Sequence, residues 1–184
     1  PQTPRTKKPE NMGLEEWQRT LRREFGVAQD FKMENIGAET IFSEFMIENP
    51  DTGGRYRVAI CGERPGDNYC SCPDFSVNTL GTCKHIEFAL AKLRKKRGAK
   101  KAFKQGFHPP YSSVFLRYGM KREVVFKKGT EIPSPLKDLA DKYFDENGVL
   151  RPEGFFSFDE FLKQASKIDH ELRCYEDALD YIAR

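Results

Sequence analysis

Apolar residues in this chain switch between helical and alternating spacing, and the switches divide it into short elements. Leu14, Trp17, Leu21 and Phe25 recur at helical spacing, so a helix is predicted over 14–25, with Gly26 as its stop and Trp17 as a core anchor. Over 40–48, Ile41, Ser43, Phe45 and Ile47 alternate with Phe42, Glu44 and Met46, the two-residue period of a strand. Asn49-Pro50-Asp51-Thr52-Gly53-Gly54 is a turn cluster, 55–61 reads as the returning strand, and 62–67 turns again. A further short strand carries Cys70 and Cys72, whose side chains share a face. Ile86, Ala89, Leu90 and Leu93 then form one apolar stripe on a helix that Cys83 begins.

Beyond Tyr111 the pattern starts afresh. Strands are predicted over 114–118 and 123–127. Ser134-Pro135 supplies a helix start, Leu136, Leu139, Ala140, Tyr143 and Phe144 its stripe, and Asn147-Gly148 its end. Ser157 with Glu160 matches a capping box ahead of Phe161, Leu162, Ala165 and Ile168. Leu172, Tyr175, Leu179 and Ile182 predict a last helix. The sum is an α+β protein: a small antiparallel sheet plus helix, followed by a smaller strand-helix module. The division expected is 1–13 as a tail or linker, 14–108 as the first domain and 109–184 as the second.

The chemistry lies where the first sheet meets its helix. Cys70, Cys72, Cys83 and His85 form two close pairs, CxC and CxH, with ten residues between them. Three thiolates and one imidazole are a standard structural set for tetrahedral zinc, with no vacancy for a reacting water. A disulfide framework is the competing reading. Alternate residues on an extended chain hold their sulfurs too far apart to bond, and five cysteines is an odd number. One structural zinc ion is therefore the expected cofactor, and thiolates kept free for it fit a cytoplasmic location. Cys61 and Cys174 lie outside the motif and read as buried or spare thiols.

Pro73-Asp74-Phe75 after the first pair, and Gly81-Thr82 before Cys83-Lys84-His85-Ile86, complete a pattern that resembles the SWIM zinc finger. The wider stretch, with Phe45, Asn49-Pro50 and Tyr56-Arg57-Val58, resembles the N-terminal region of bacterial Swi/Snf-type helicases. The resemblance implies a sheet, metal and helix in that order. It also implies an accessory role in DNA or protein contacts beside a helicase motor in the same protein. The chain opens on Pro1 and its first methionine is Met12, as expected of a piece of something longer.

Net charge is only +3, but its distribution is uneven. Residues 88–122 hold eleven Lys or Arg and no acid, whereas 131–184 hold thirteen acids against seven bases. Lys92, Arg94, Lys95, Lys96, Arg97, Lys100, Lys101 and Lys104 place eight bases in thirteen positions, directly after the finger. Cations favour a helix C-terminus, but eight exceed what one terminus needs. These residues are the expected nucleic-acid contacts, DNA foremost, made through phosphates and carrying little sequence information. A protein-interaction or autoinhibitory module is the alternative, with the acidic part docking on a basic partner. No phosphate-binding loop, GxSxG elbow or HExxH pair is present, and His108 and His170 are isolated. The carboxylates Asp138, Asp141, Asp177 and Asp180 fall between apolar positions and read as solvated, and Glu123 with Lys127 or Lys128 lacks the acidic partner of a nuclease. No catalysis is expected from this chain, and any ATPase would lie outside it. No apolar run approaches a membrane span.

Overall fold

The computed structural model describes residues 2–184, which form two compact units. The first comprises residues up to Phe107 together with Tyr118–Lys121. The second comprises His108–Arg117 and Arg122–Arg184.

In the first unit a four-stranded antiparallel sheet runs in chain order: β1 (Lys32–Asn35), β2 (Glu44–Glu48), β3 (Arg55–Ala59) and β4 (Tyr69–Cys70). The alternation predicted over 40–48 is real, since Ile41, Ser43, Phe45 and Ile47 are all buried and the residues between them are not. The hydrogen-bonded ladder begins only at Glu44, however. Before it, Ser43 folds back, its amide donating to the Ile41 carbonyl and its hydroxyl to Asn35 Oδ1. β1 has no alternating pattern of its own; it is a polar edge paired to β2, with Met33 opposite Ile47.

Helix α1 (Leu14–Val27) runs through Gly26, so the expected stop is in fact a contact point. A Cβ at Gly26 would meet the Lys84 carbonyl oxygen at 2.5 Å and the Phe88 nitrogen at 3.1 Å. Only glycine lets the two backbones approach this closely. Trp17 is half-buried rather than a core anchor, and its indole nitrogen donates to the Pro4 carbonyl at 2.7 Å. After β4 come α2 (Pro73–Val77), α3 (Lys84–Arg94) and α4 (Ala99–Gln105). The core beneath α3 joins Ile86, Phe88, Ala89, Leu90 and Leu93 to Phe45, Ile47, Val58, Ile60 and Phe75.

The second unit carries a mixed three-stranded sheet. β5 (Ser113–Arg117) is central, antiparallel to β6 (Glu123–Lys127) and parallel to the two-residue β7 (Arg173–Cys174). Helices α5 (Ser134–Tyr143), α6 (Phe158–Ile168) and α7 (Glu176–Ile182) complete it. The capping box predicted for α6 does not form: Ser157 precedes the helix, but its side chain makes no capping bond. Likewise Pro133, not Ser134, is the cap residue of α5. An aromatic group, Phe126, Phe144, Phe158 and Phe161, fills the centre, with Phe161 ring-to-ring with the other three and with Tyr143.

Candidate metal centre and basic surface

The two ligand pairs reach one point from different elements. Cys70 ends β4, held by its pairing opposite Val58, and Cys72 is the cap residue that starts α2. Pro73 at the first helical position suits that start, because its missing N–H would have had no partner there. Cys83 is the extended residue preceding α3, and His85 lies in that helix's first turn. The loop between the pairs is tied to itself. Asn78 accepts from the Leu80 amide and donates to the Thr82 carbonyl. Gly81 takes a φ of +73°, and a Cβ there would meet the Gly66 nitrogen at 2.6 Å.

One atom from each of Cys70, Cys72, Cys83 and His85 lies within 4.8 Å of every other, and all four side chains are buried. The Nδ1 atom of His85 is 3.7 Å from Cys70 Sγ and 3.9 Å from Cys83 Sγ. A zinc tetrahedron with bonds of about 2.0–2.3 Å has sulfur–nitrogen edges of roughly 3.5 Å, and both distances come within about 0.4 Å of that. The rings of Tyr56 and Phe31 pack against the imidazole, at 4.9 and 5.5 Å between centroids, and fix its plane.

The protonation chemistry of the cluster is coupled to cation binding. Burial pushes the Cys83 thiol far up, and hydrogen bonding with Cys70 and Cys72 adds to the effect. Cys70 is pushed up to about 12, chiefly by its hydrogen bond to Cys72. Cys72 is held down by the same bond, and further by Cys83, His85 and the Phe75 amide, which donates to its sulfur at 3.4 Å. Two of the three thiols are pushed toward their protonated forms, whereas a bound dication favours ionisation of all three. The starts of two helices add their positive ends to the same side of the balance.

Around the ligands stands a layer of polar contacts that the sequence pattern did not reveal. Thr82 donates to Glu87 Oε2 at 2.6 Å, and Glu87 is buried although it interrupts the apolar face of α3. Arg22 of α1 grips Asp74 through two bonds, Nε to Oδ2 at 2.9 Å and Nη2 to Oδ1 at 3.0 Å. This bond to Asp74 chiefly holds the guanidinium above its ordinary pKa, and Cys83 and Cys72 contribute to the rise. Asp74 was visible as part of the Cys-Pro-Asp-Phe run, but nothing in the spacing of α1 marked Arg22.

All eight predicted nucleic-acid contacts are exposed: Lys92 and Arg94 near the end of α3, Lys95, Lys96 and Arg97 in the link after it, and Lys100, Lys101 and Lys104 on α4. Arg94 is committed to Glu63 at 3.1 Å, and the Lys92 ammonium lies over the Phe88 ring at 5.4 Å. The other six have no acidic partner among the described residues. Gly98, in the left-handed region at φ +82°, lets the chain turn from α3 into α4. Among the described residues no helix is long and apolar enough to cross a membrane.

No curated protein and no solved structure matches the chain. Residues 56–94 match the SWIM zinc finger family model, a span that runs from the start of β3 to the end of α3 and contains all four ligands. With that match, the buried Cys70, Cys72, Cys83 and His85 cluster fits one zinc ion.

Proposed function

We propose that this chain is a zinc-held accessory region that binds nucleic acid, DNA foremost, through its phosphates. One observation carries the reading: six exposed cations without acidic partners among the described residues follow the helix whose first turn bears a metal ligand. Zinc fixes the start of α3 against the sheet, and α3 delivers the charge at its other end. The chain does no chemistry of its own in this reading. Its setting is the one the sequence resemblance implies, a cytoplasmic Swi/Snf-type helicase whose ATPase lies elsewhere in the protein.

The test is fluorescence anisotropy with labelled single- and double-stranded DNA on zinc-loaded protein, at stepped salt. Five or six phosphate contacts give a slope of roughly −4.5 to −5.4 in log K against log salt for duplex. Changing Lys95, Lys96, Lys100 and Lys101 together to Gln should remove most of that slope. Absence of binding at about 50 mM salt, where phosphate contacts are strong, rejects the reading.

A second reading, a protein-contact module, draws on the second unit. Its residues 131–184 carry the acidic excess, and Phe156 stands 92% exposed beside Phe155, Tyr181 and Ile182, which line a shallow cavity. Retention of a protein partner by the four-Gln variant, with DNA binding lost, separates the two.

A further inference from the structure

Three arginines of α1, Arg19, Arg22 and Arg23, occupy positions i, i+3 and i+4 and so share one face. Each reaches a different part of the metal loop. Arg19 Nε donates to the Leu80 carbonyl at 3.0 Å, three residues before Cys83. Arg22 forks onto Asp74, two residues after Cys72. Arg23 pairs at 3.5 Å with Glu87, two residues after His85, and Glu87 in turn holds Thr82 beside Cys83. All three arginines lie outside the 56–94 segment that matches the finger.

We infer that α1 is a clamp on the metal centre, in which Arg19, Arg22 and Arg23 hold the loop between the two ligand pairs closed, and Arg22 limits how fast it opens to release zinc. Ordinary surface pairs contribute little, so the geometry must distinguish these. The Arg22 side chain is 23% exposed, its fork onto Asp74 is bidentate, and its remaining nitrogen is fixed by the Gln18 side chain and carbonyl at 2.9 and 3.2 Å. A guanidinium held on both sides has little freedom to lose, which is where paired arginine contributes most. α1 is seated on α3, with the closest approach at Gly26, and the arginine bonds extend that attachment to the loop. Zinc leaves such a site by one thiolate swinging away, and Cys72 and Cys83 cannot swing while Asp74, Leu80 and Glu87 are pinned to a helix.

The experiment follows zinc transfer from the full chain to a chromophoric chelator by stopped flow. Arg22→Gln and Asp74→Asn should each speed release about tenfold, the usual scale for a partner of metal-bound groups. The double variant should be no faster than the quicker single one, because both changes remove the same contact. Lys128→Gln, whose partner Asp141 lies in the second unit, serves as control and should leave the rate unchanged. In the cobalt-loaded protein the visible absorption bands should keep their positions in every variant, since the four ligands are untouched. If Arg22→Gln does not fold, Arg22→Lys keeps the charge without the fork and should still release faster than the parent. Release within about twofold of the parent for both Arg22→Lys and Asp74→Asn, or additive effects in the double variant, overturns the clamp.

Discussion

Replacing Cys72 by Ser tests the metal centre most directly. The sulfur is one of four ligand atoms lying within 4.8 Å of one another, and it also accepts the Phe75 amide that begins α2. Structural zinc contributes about 10–16 kcal/mol at neutral pH, so an equal share for one of four ligands is about 2.5–4 kcal/mol. At about 1.4 kcal/mol per tenfold, that weakens zinc binding by roughly 60- to 700-fold. The local structure cannot make up the loss. α2 has five residues and β4 two, far below the length at which either stands without tertiary support. Loss of the ion should therefore release the 72–83 loop and the start of α3 together. Competition against a chromophoric chelator gives the affinity, and amide exchange across 72–90 gives the extent of opening. The second unit has its own buried cluster and contributes none of the ligands, so its exchange should not change. A Cys72→Ser protein that binds zinc within about tenfold of the parent, or a chelated parent with unchanged protection over 72–83, would refute the assignment.

Three further outcomes follow from the same structure. Phe161→Ala deletes a fully buried ring that meets four other rings and should cost about 3–5 kcal/mol in urea unfolding of the second unit, with zinc content unchanged. Gly81→Ala sets a side chain at φ +73° and against the Gly66 nitrogen at 2.6 Å, so it should destabilise the first unit by about 1–3 kcal/mol, read by thermal melting of the zinc-loaded chain. Burial pushes the Cys174 thiol up to about 11. A thiol whose folded pKa lies above its unfolded value stabilises below the unfolded value, near 8.5, and that stability fades as pH rises toward about 11. Cys174→Ala should accordingly flatten the alkaline limb of the second unit's stability curve, and an unchanged limb counts against the burial argument.

The metal ligands could be read from the sequence because their chemistry depends on residue type and spacing, and Cys70, Cys72, Cys83 and His85 meet as that spacing implies. Strand β6 was equally plain, since it has its own period. What escaped was structure held by backbone or by distant partners. β1 reads Lys-Met-Glu-Asn and exists because β2 offers it a ladder. β7 forms because the Arg173 and Tyr175 amides donate to the Ser112 and Val114 carbonyls, a pairing that side chains do not encode. The stretch over 172–182, which reads as one helix, accordingly divides into β7 and α7. Gly26 carries the signal of a helix stop, yet its role is set by the Lys84 carbonyl, far along the chain.

The same contrast bears on why the finger is built as it is. A five-residue helix, a two-residue strand and a loop closed on Asn78 are each too short to hold a shape alone. Phe88, Leu90 and Leu93 of α3 are buried in the core, whereas at the ligand end the neighbours are the Phe75 amide on Cys72 and the Phe31 and Tyr56 rings on His85. There a single ion can do what more side chains would otherwise have to do, provided that the thiols are crowded enough to need it. Burial pushes the Cys83 thiol upward and the bond to Cys72 does the same to Cys70, so an ion entering the cluster must displace their protons, and its hold weakens as pH falls. The same balance reaches the exposed lysines after α3, because the helix that leads to them starts at the ligand cluster.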